Sequence, residues 1–177
     1  IGGVIATDIN HGDNGGAISP GAVGFDINCG VRVLALDATI DDIPNIKKLG
    51  GRLAGRIPAG ASGKGGLEIN MNQIKNLTEG GAQAAVDMGI GFDEDLPSLE
   101  SNGLLEVDDV SLSSRALERG LRALGTLGSG NHFLELQSVE KLVDEETSKQ
   151  WGLYEGQLLA MIHSGSRGLG HQVCSEH

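Results

Sequence analysis

Apolar and polar residues alternate along 31–36 (VRVLAL) and again along 132–137 (HFLELQ), the period-two pattern of strands. Residues 157–163 (QLLAMIH) are apolar enough to read as a buried strand. Between these runs the period lengthens. In DDIPNIKKLGGRLA, Asp41 and Asp42 stand ahead of Pro44, and Ile46, Leu49 and Leu53 share one helical face. In SSRALERGLRALG, serines precede Leu117, Leu121 and Leu124, and Gly125 supplies the stop. Residues 72–89 also read as helix, weakened at Gly80 and Gly81. Helices and strands mix without strict alternation, with no repeat and no linker. The predicted fold class is therefore α+β: a mixed β core with flanking helices and glycine-rich loops.

Composition sharpens the loops. Glycine accounts for 29 of 177 residues and proline for only 4, a balance that fits neither collagen nor a proline-rich disordered tract. The glycines gather in GGAISPGAVGFDINCG, GGRLAGRIPAGASGKGG, GTLGSGNH and HSGSRGLGH. A length of 177 residues suits one domain with a sizeable core. The chain opens on Ile1 and ends on VCSEH inside what reads as the first turns of a helix, so it is taken as a piece of a longer polypeptide.

Charge narrows the function classes. Thirteen Lys and Arg against 24 Asp and Glu give a net charge of -11, the reverse of a broad nucleic-acid-binding face, so any phosphate contact must be local. The acids crowd into 92–109 and 140–150, which read as solvated surface. Residues 1–36 hold only Asp8, Asp13, Asp26 and Arg32. Two cysteines make no disulfide framework, and no signal peptide, membrane span or polybasic tail is evident. The expected setting is reducing and cytoplasmic, without a membrane partner.

Three loops could carry chemistry. In GFDINCG, glycines bound a turn in which Asp26 and Cys29, three positions apart, can aim a carboxylate and a thiolate at one point. Ligand softness suggests Zn or Fe there, with Mn where carboxylate and imidazole supply the remainder. Taken alone, the pair reads more readily as a turn aspartate and a buried thiol. In GTLGSGNHFLEL, three glycines lead to Asn131, a donor for an oxyanion, and His132, a ligand or base at a strand mouth. In MIHSGSRGLGHQV, a strand ends at His163 and a loop carrying Ser164, Ser166 and Arg167 enters a helix. Strand end, glycine loop and helix start form a common anion site, and Arg167 adds a planar fork matched to phosphate. His11, His171 and His177 read as surface or packing histidines. Lys64 is no Walker lysine, because Pro58 replaces the first glycine and Gly65 the hydroxyl residue. The NLT sequon at Asn76 carries no weight without a secretory signal.

The segments ISPGAVGFDINCGVR, GTLGSGNHFLE and HSGSRGLGHQV, in this order, resemble the signatures of the RtcB family of RNA-splicing ligases almost residue for residue. The resemblance spans nearly the whole chain. It implies that residues 1–177 are part of a single RtcB-like catalytic domain truncated at both ends. It further implies joining of RNA 3′-phosphate or 2′,3′-cyclic phosphate ends to 5′-hydroxyl ends, in tRNA splicing or RNA repair. The family chemistry opens a cyclic phosphate with water, passes GMP from GTP through a histidine to the RNA 3′-phosphate, and ends with attack by the 5′-hydroxyl.

By position, Asp26, Cys29 and His132 match the ligands of one Mn²⁺, and Cys29 and His163 match two ligands of a second. Cys29 bridges, and with Asn131 it is the implied catalytic residue. Asn131, His132, Phe133, Leu134 and Glu135 match the guanylate-contacting stretch, and Arg167 an arginine facing RNA phosphate. The guanylylated histidine and the remaining metal ligand match no residue of this chain. A monomer with an archease-like activating partner is also implied. Two other readings stay open on the residues alone: a metal-dependent phosphoesterase, and a non-catalytic metal-binding fragment.

Overall fold

The computed structural model describes residues 4–10, 15–17, 22, 24–60, 66–106 and 111–177. Asp13, His11 and Lys64, the last two read above as a surface histidine and a non-Walker lysine, lie outside these residues.

The three apolar runs become three strands, β1 (Gly30–Thr39), β2 (Phe133–Ser138) and β3 (Gln157–Ser164). The sheet order is β1-β3-β2, with the last strand in the centre and antiparallel to both neighbours. That arrangement makes the chain α+β, since βαβ crossovers would give parallel pairs. It also explains how distant segments meet. The end of β3 lies beside the starts of β1 and β2, so Val31 and Phe133 both pair with His163. The loops entering β1 and β2 and the loop leaving β3 are thereby gathered at one end of the sheet.

The helices are α1 (Ile46–Arg56), α2 (Met71–Asp87), α3 (Ser114–Ala123), α4 (Glu145–Gln150) and α5 (Arg167–Glu176). α1 starts later than the acidic pair suggested. Its cap is Asn45, whose side-chain oxygen accepts the Lys48 amide at 2.9 Å, a standard N-cap contact. Asp41 and Asp42 instead belong to a separate 3-10 turn, Ile40–Asp42, where Asp42 accepts from the Thr39 amide and hydroxyl at 2.8 and 3.0 Å. α2 opens with a reciprocal box between Asn70 and Gln73. It kinks at Gly81, one of the two glycines expected to weaken it, where φ is +58. α3 begins at Ser113, which accepts the Ala116 amide at 3.0 Å.

The buried centre lies where α3 packs against α2 and α5. Ile74, Ala116, Leu117 and Cys174 are buried there, with Leu158 buried on β3. Leu121 and Leu124, expected on the same apolar face as Leu117, are half-buried. On the other side, the apolar face of α1 and Leu134 and Leu136 of β2 surround a cavity of about 490 Å³. Residues 58–60 run beside 127–128: the Leu127 amide donates to Pro58 O at 2.8 Å, and the Gly60 amide to Leu127 O at 3.0 Å. Among the described residues no helix is long and apolar enough to cross a membrane.

Candidate metal centre

The turn at 26–29 closes through the Cys29 amide, which donates to Asp26 O at 3.0 Å. Asn28 adopts φ +61 within it, a left-handed conformation that Asn tolerates better than most residues. His132, immediately before β2, brings Nε2 to 2.8 Å from Asp26 Oδ2 and 3.3 Å from Cys29 Sγ. His163 on β3 brings its Nε2 to 3.2 Å from the same sulfur. One thiol therefore stands within reach of two imidazoles whose ring centroids are 5.5 Å apart. Asp26, Cys29 and His132 place ligand atoms within 4.8 Å of one another. Oxygen, sulfur and nitrogen donors converge at this point, and such a mixed set suits a divalent cation.

Asp26 is held from behind. Its Oδ1 accepts the Arg167 amide at 2.7 Å and the Ser166 hydroxyl at 3.3 Å, which leaves Oδ2 to face His132. The start of α5 faces the protein's own Asp26 carboxylate, whereas the strand, glycine loop and helix pattern suggested a site for phosphate. His132 is almost entirely enclosed, with 6% of its side chain exposed. Its Nδ1 is buried without a hydrogen-bond partner among the described residues, so Nε2 is the nitrogen available for chemistry. The ring lies directly on Gly128, where a Cβ would overlap Nδ1.

Cys29 differs from the buried thiol that the bare turn suggested: the residue is exposed, whereas Cys174 is buried. Partial desolvation of its sulfur, then the charge of the Asp26 carboxylate and its hydrogen bond, push the thiol above its ordinary range, with Arg32 opposing. A cation bound beside such a thiol would reverse the local electrostatics and favour release of its proton to solvent.

Strand alternation divides the stretch 131–135. Asn131 is exposed beside His132. Phe133 stands edge-on to His163, with ring centroids 5.4 Å apart. Leu134 lines the α1 cavity, and the exposed Glu135 accepts from Gln137 Nε2 at 2.9 Å. Arg167 donates from Nη2 to Gly60 O at 2.7 Å, and its Nε has no partner among the described residues. His177 is exposed as expected. His171, expected to be a surface or packing residue, lies with Nε2 4.0 Å from Asp26 Oδ1 and edge-on to Phe25. Sequence reasoning missed Ser166 and Gly165 as neighbours of Asp26. The only trace of them was the glycine loop itself, because their partner lies about 140 positions earlier.

The family model described as "tRNA-splicing ligase RtcB" matches residues 1–177. A protein of that name from Thermococcus kodakarensis is 47% identical over 179 residues, covering 100% of this chain and 36% of its own length. Its namesake from Aeropyrum pernix is 45% identical, again over 100% of this chain and 37% of its own length. The "RNA-splicing ligase RtcB" of Mycobacterium tuberculosis is 44% identical over 181 residues, 100% of this chain and 41% of its own length. The chain thus spans a little over a third of the length of these relatives.

Proposed function

The chain belongs to the RtcB family, and from that premise we propose that it is the metal-binding part of a single-domain RNA ligase. The reaction joins RNA 3′-phosphate or 2′,3′-cyclic phosphate ends to 5′-hydroxyl ends at the expense of GTP, in tRNA splicing or RNA repair. The observation that carries this reading is the placement of Cys29 Sγ at 3.3 Å from His132 Nε2 and 3.2 Å from His163 Nε2, with Asp26 on the His132 side. A sulfur so placed can serve two cations. Asp26, Cys29 and His132 would hold one Mn²⁺, and Cys29 and His163 a second, completed by residues outside these 177.

Cations held there would supply charge neutralisation at phosphate and activation of the attacking and leaving oxygens. The remaining roles fall to this chain's own side chains. Asp26 is anchored by the Arg167 amide and the Ser166 hydroxyl, and the His132 ring rests on Gly128, so both donors are fixed in place. Asn131, exposed at the rim, donates its amide to a guanylate phosphate, and His132 with Phe133, Leu134 and Glu135 at the start of β2 forms the stretch along which the nucleotide lies. Arg167 has guanidinium donors beyond the one given to Gly60 O, and these face RNA phosphate. The histidine that accepts GMP lies outside these residues. The ligase acts in the cytoplasm as a monomer, with an archease-like protein as its activator.

Intact protein incubated with Mn²⁺ and labelled GTP should become covalently labelled, and Cys29→Ala should abolish the label. Retained labelling in that variant would sink the site assignment. Supplying one RNA with a 3′-phosphate and another with a 5′-hydroxyl should give a joined product that requires GTP. Dephosphorylation without joining, indifferent to GTP, would instead point to a phosphoesterase.

A further inference from the structure

Four observations converge on one face of Asp26 that no metal would touch. The Arg167 amide donates to Oδ1 at 2.7 Å, and the Ser166 hydroxyl donates to the same oxygen at 3.3 Å. A Cβ at Gly165 would stand 2.8 Å from all three atoms of the carboxylate. Arg167, although not glycine, takes φ +54, a conformation that costs a side-chain-bearing residue free energy. That unfavourable backbone angle belongs to the residue whose amide makes the shortest contact with Oδ1.

We propose that Gly165, Ser166 and Arg167 are positioning residues for the Asp26 ligand: the Ser166 hydroxyl and the Arg167 amide fix which carboxylate oxygen meets the cation, and Gly165 leaves the room the carboxylate needs. The proposal rests on the metal centre proposed above. Two donors engage Oδ1, which leaves Oδ2, 2.8 Å from His132 Nε2, as the oxygen that would face a cation. Two of the three contributions need no side-chain donor: Gly165 acts by lacking a Cβ, and Arg167 acts through its main-chain N–H. Arg167 would then have two separable duties, an amide for the metal centre and a guanidinium for RNA. Outer-shell contacts of this kind are typically worth about 10- to 100-fold in metal affinity.

The test is Mn²⁺ titration of the intact protein, reading free Mn²⁺ by electron paramagnetic resonance, alongside melting temperature without metal. Ser166→Ala and Gly165→Ala should each weaken binding about 10-fold or more. Ser166→Thr, which keeps the hydroxyl, should restore affinity. Arg167→Gly keeps the amide and relieves the backbone angle, so Mn²⁺ binding should stay within about twofold of the parent while RNA joining falls. Ser166→Ala is the decisive variant, because it should melt as the parent does even if Gly165→Ala does not fold. Parental affinity in Ser166→Ala, or equal loss in Ser166→Thr, would overturn the proposal. If the parent binds Mn²⁺ no better than Cys29→Ala, the metal centre itself falls and takes this inference with it.

Discussion

Gly128→Ala is a single-methyl test of the metal centre. The added Cβ would overlap His132 Nδ1 and stand 2.6 and 2.7 Å from ring Cγ and Cε1. Carbon atoms pack comfortably at about 3.5–4.0 Å, so the ring must retreat by roughly 1 Å or more. A metal–ligand bond tolerates only about 0.2 Å of error in length. The required displacement exceeds that tolerance several-fold, so His132 is lost as a ligand rather than merely strained. Loss of a ligand should cost at least the upper end of an outer-shell effect, about 100-fold in Mn²⁺ affinity or roughly 2.7 kcal/mol.

A double-mutant cycle with His132→Ala gives the assay its control. Removing the imidazole makes room for the methyl, so Gly128→Ala/His132→Ala should bind Mn²⁺ no worse than His132→Ala alone. The melting temperature of the double variant should also recover relative to Gly128→Ala. Parental Mn²⁺ affinity in Gly128→Ala, or losses that simply add in the cycle, would refute the reasoning.

Mn²⁺ affinity should rise with pH by about one decade per unit below the Cys29 pKa, because coordination expels the thiol proton. Conversely, the metal-free protein should lose stability as pH climbs through and above the ordinary thiol range, since the raised pKa favours the neutral form. Ile74, 1% exposed at the junction of α2 with α3, should cost about 2–5 kcal/mol when truncated to Ala, measured by denaturant unfolding. Ser113→Ala should cost about 1 kcal/mol as a lost cap of α3. The Ser113 hydroxyl and then Gln172 lower the Glu176 pKa, a contribution present above the ordinary carboxylate range and lost as pH falls through the lowered value. The deficit of Ser113→Ala should therefore narrow in acid.

The sequence made the strands legible because 31–36 and 132–137 alternate and 157–163 is continuously apolar, signals that do not depend on partners. Helix starts were less so. Asp41 and Asp42 had the right chemistry for a helix entry, but Thr39 offered Asp42 a nearer pair of donors and closed a turn of its own. Within GFDINCG, local chemistry favoured a self-bonded aspartate and a buried cysteine; only the family resemblance brought His132 and His163 to the same point. The reason is separation. Cys29 meets its two imidazoles across 103 and 134 positions, and no local window contains such contacts. The anion pattern at 163–171 was readable as a pattern, yet it could not reveal that the anion was Asp26.

The sheet order also has a consequence for biosynthesis. β3 emerges last and sits in the middle, so β1 and β2 must wait on the ribosome without the neighbour that joins them. Long-range strand pairing of this kind is slow and leaves edges exposed during synthesis. His163 arrives only with that keystone strand, whereas Asp26 and Cys29 have by then been outside the tunnel for more than a hundred residues of synthesis. A nascent chain at that stage carries Asp26, Cys29 and His132 without His163, so the cluster is complete only once the central strand has paired.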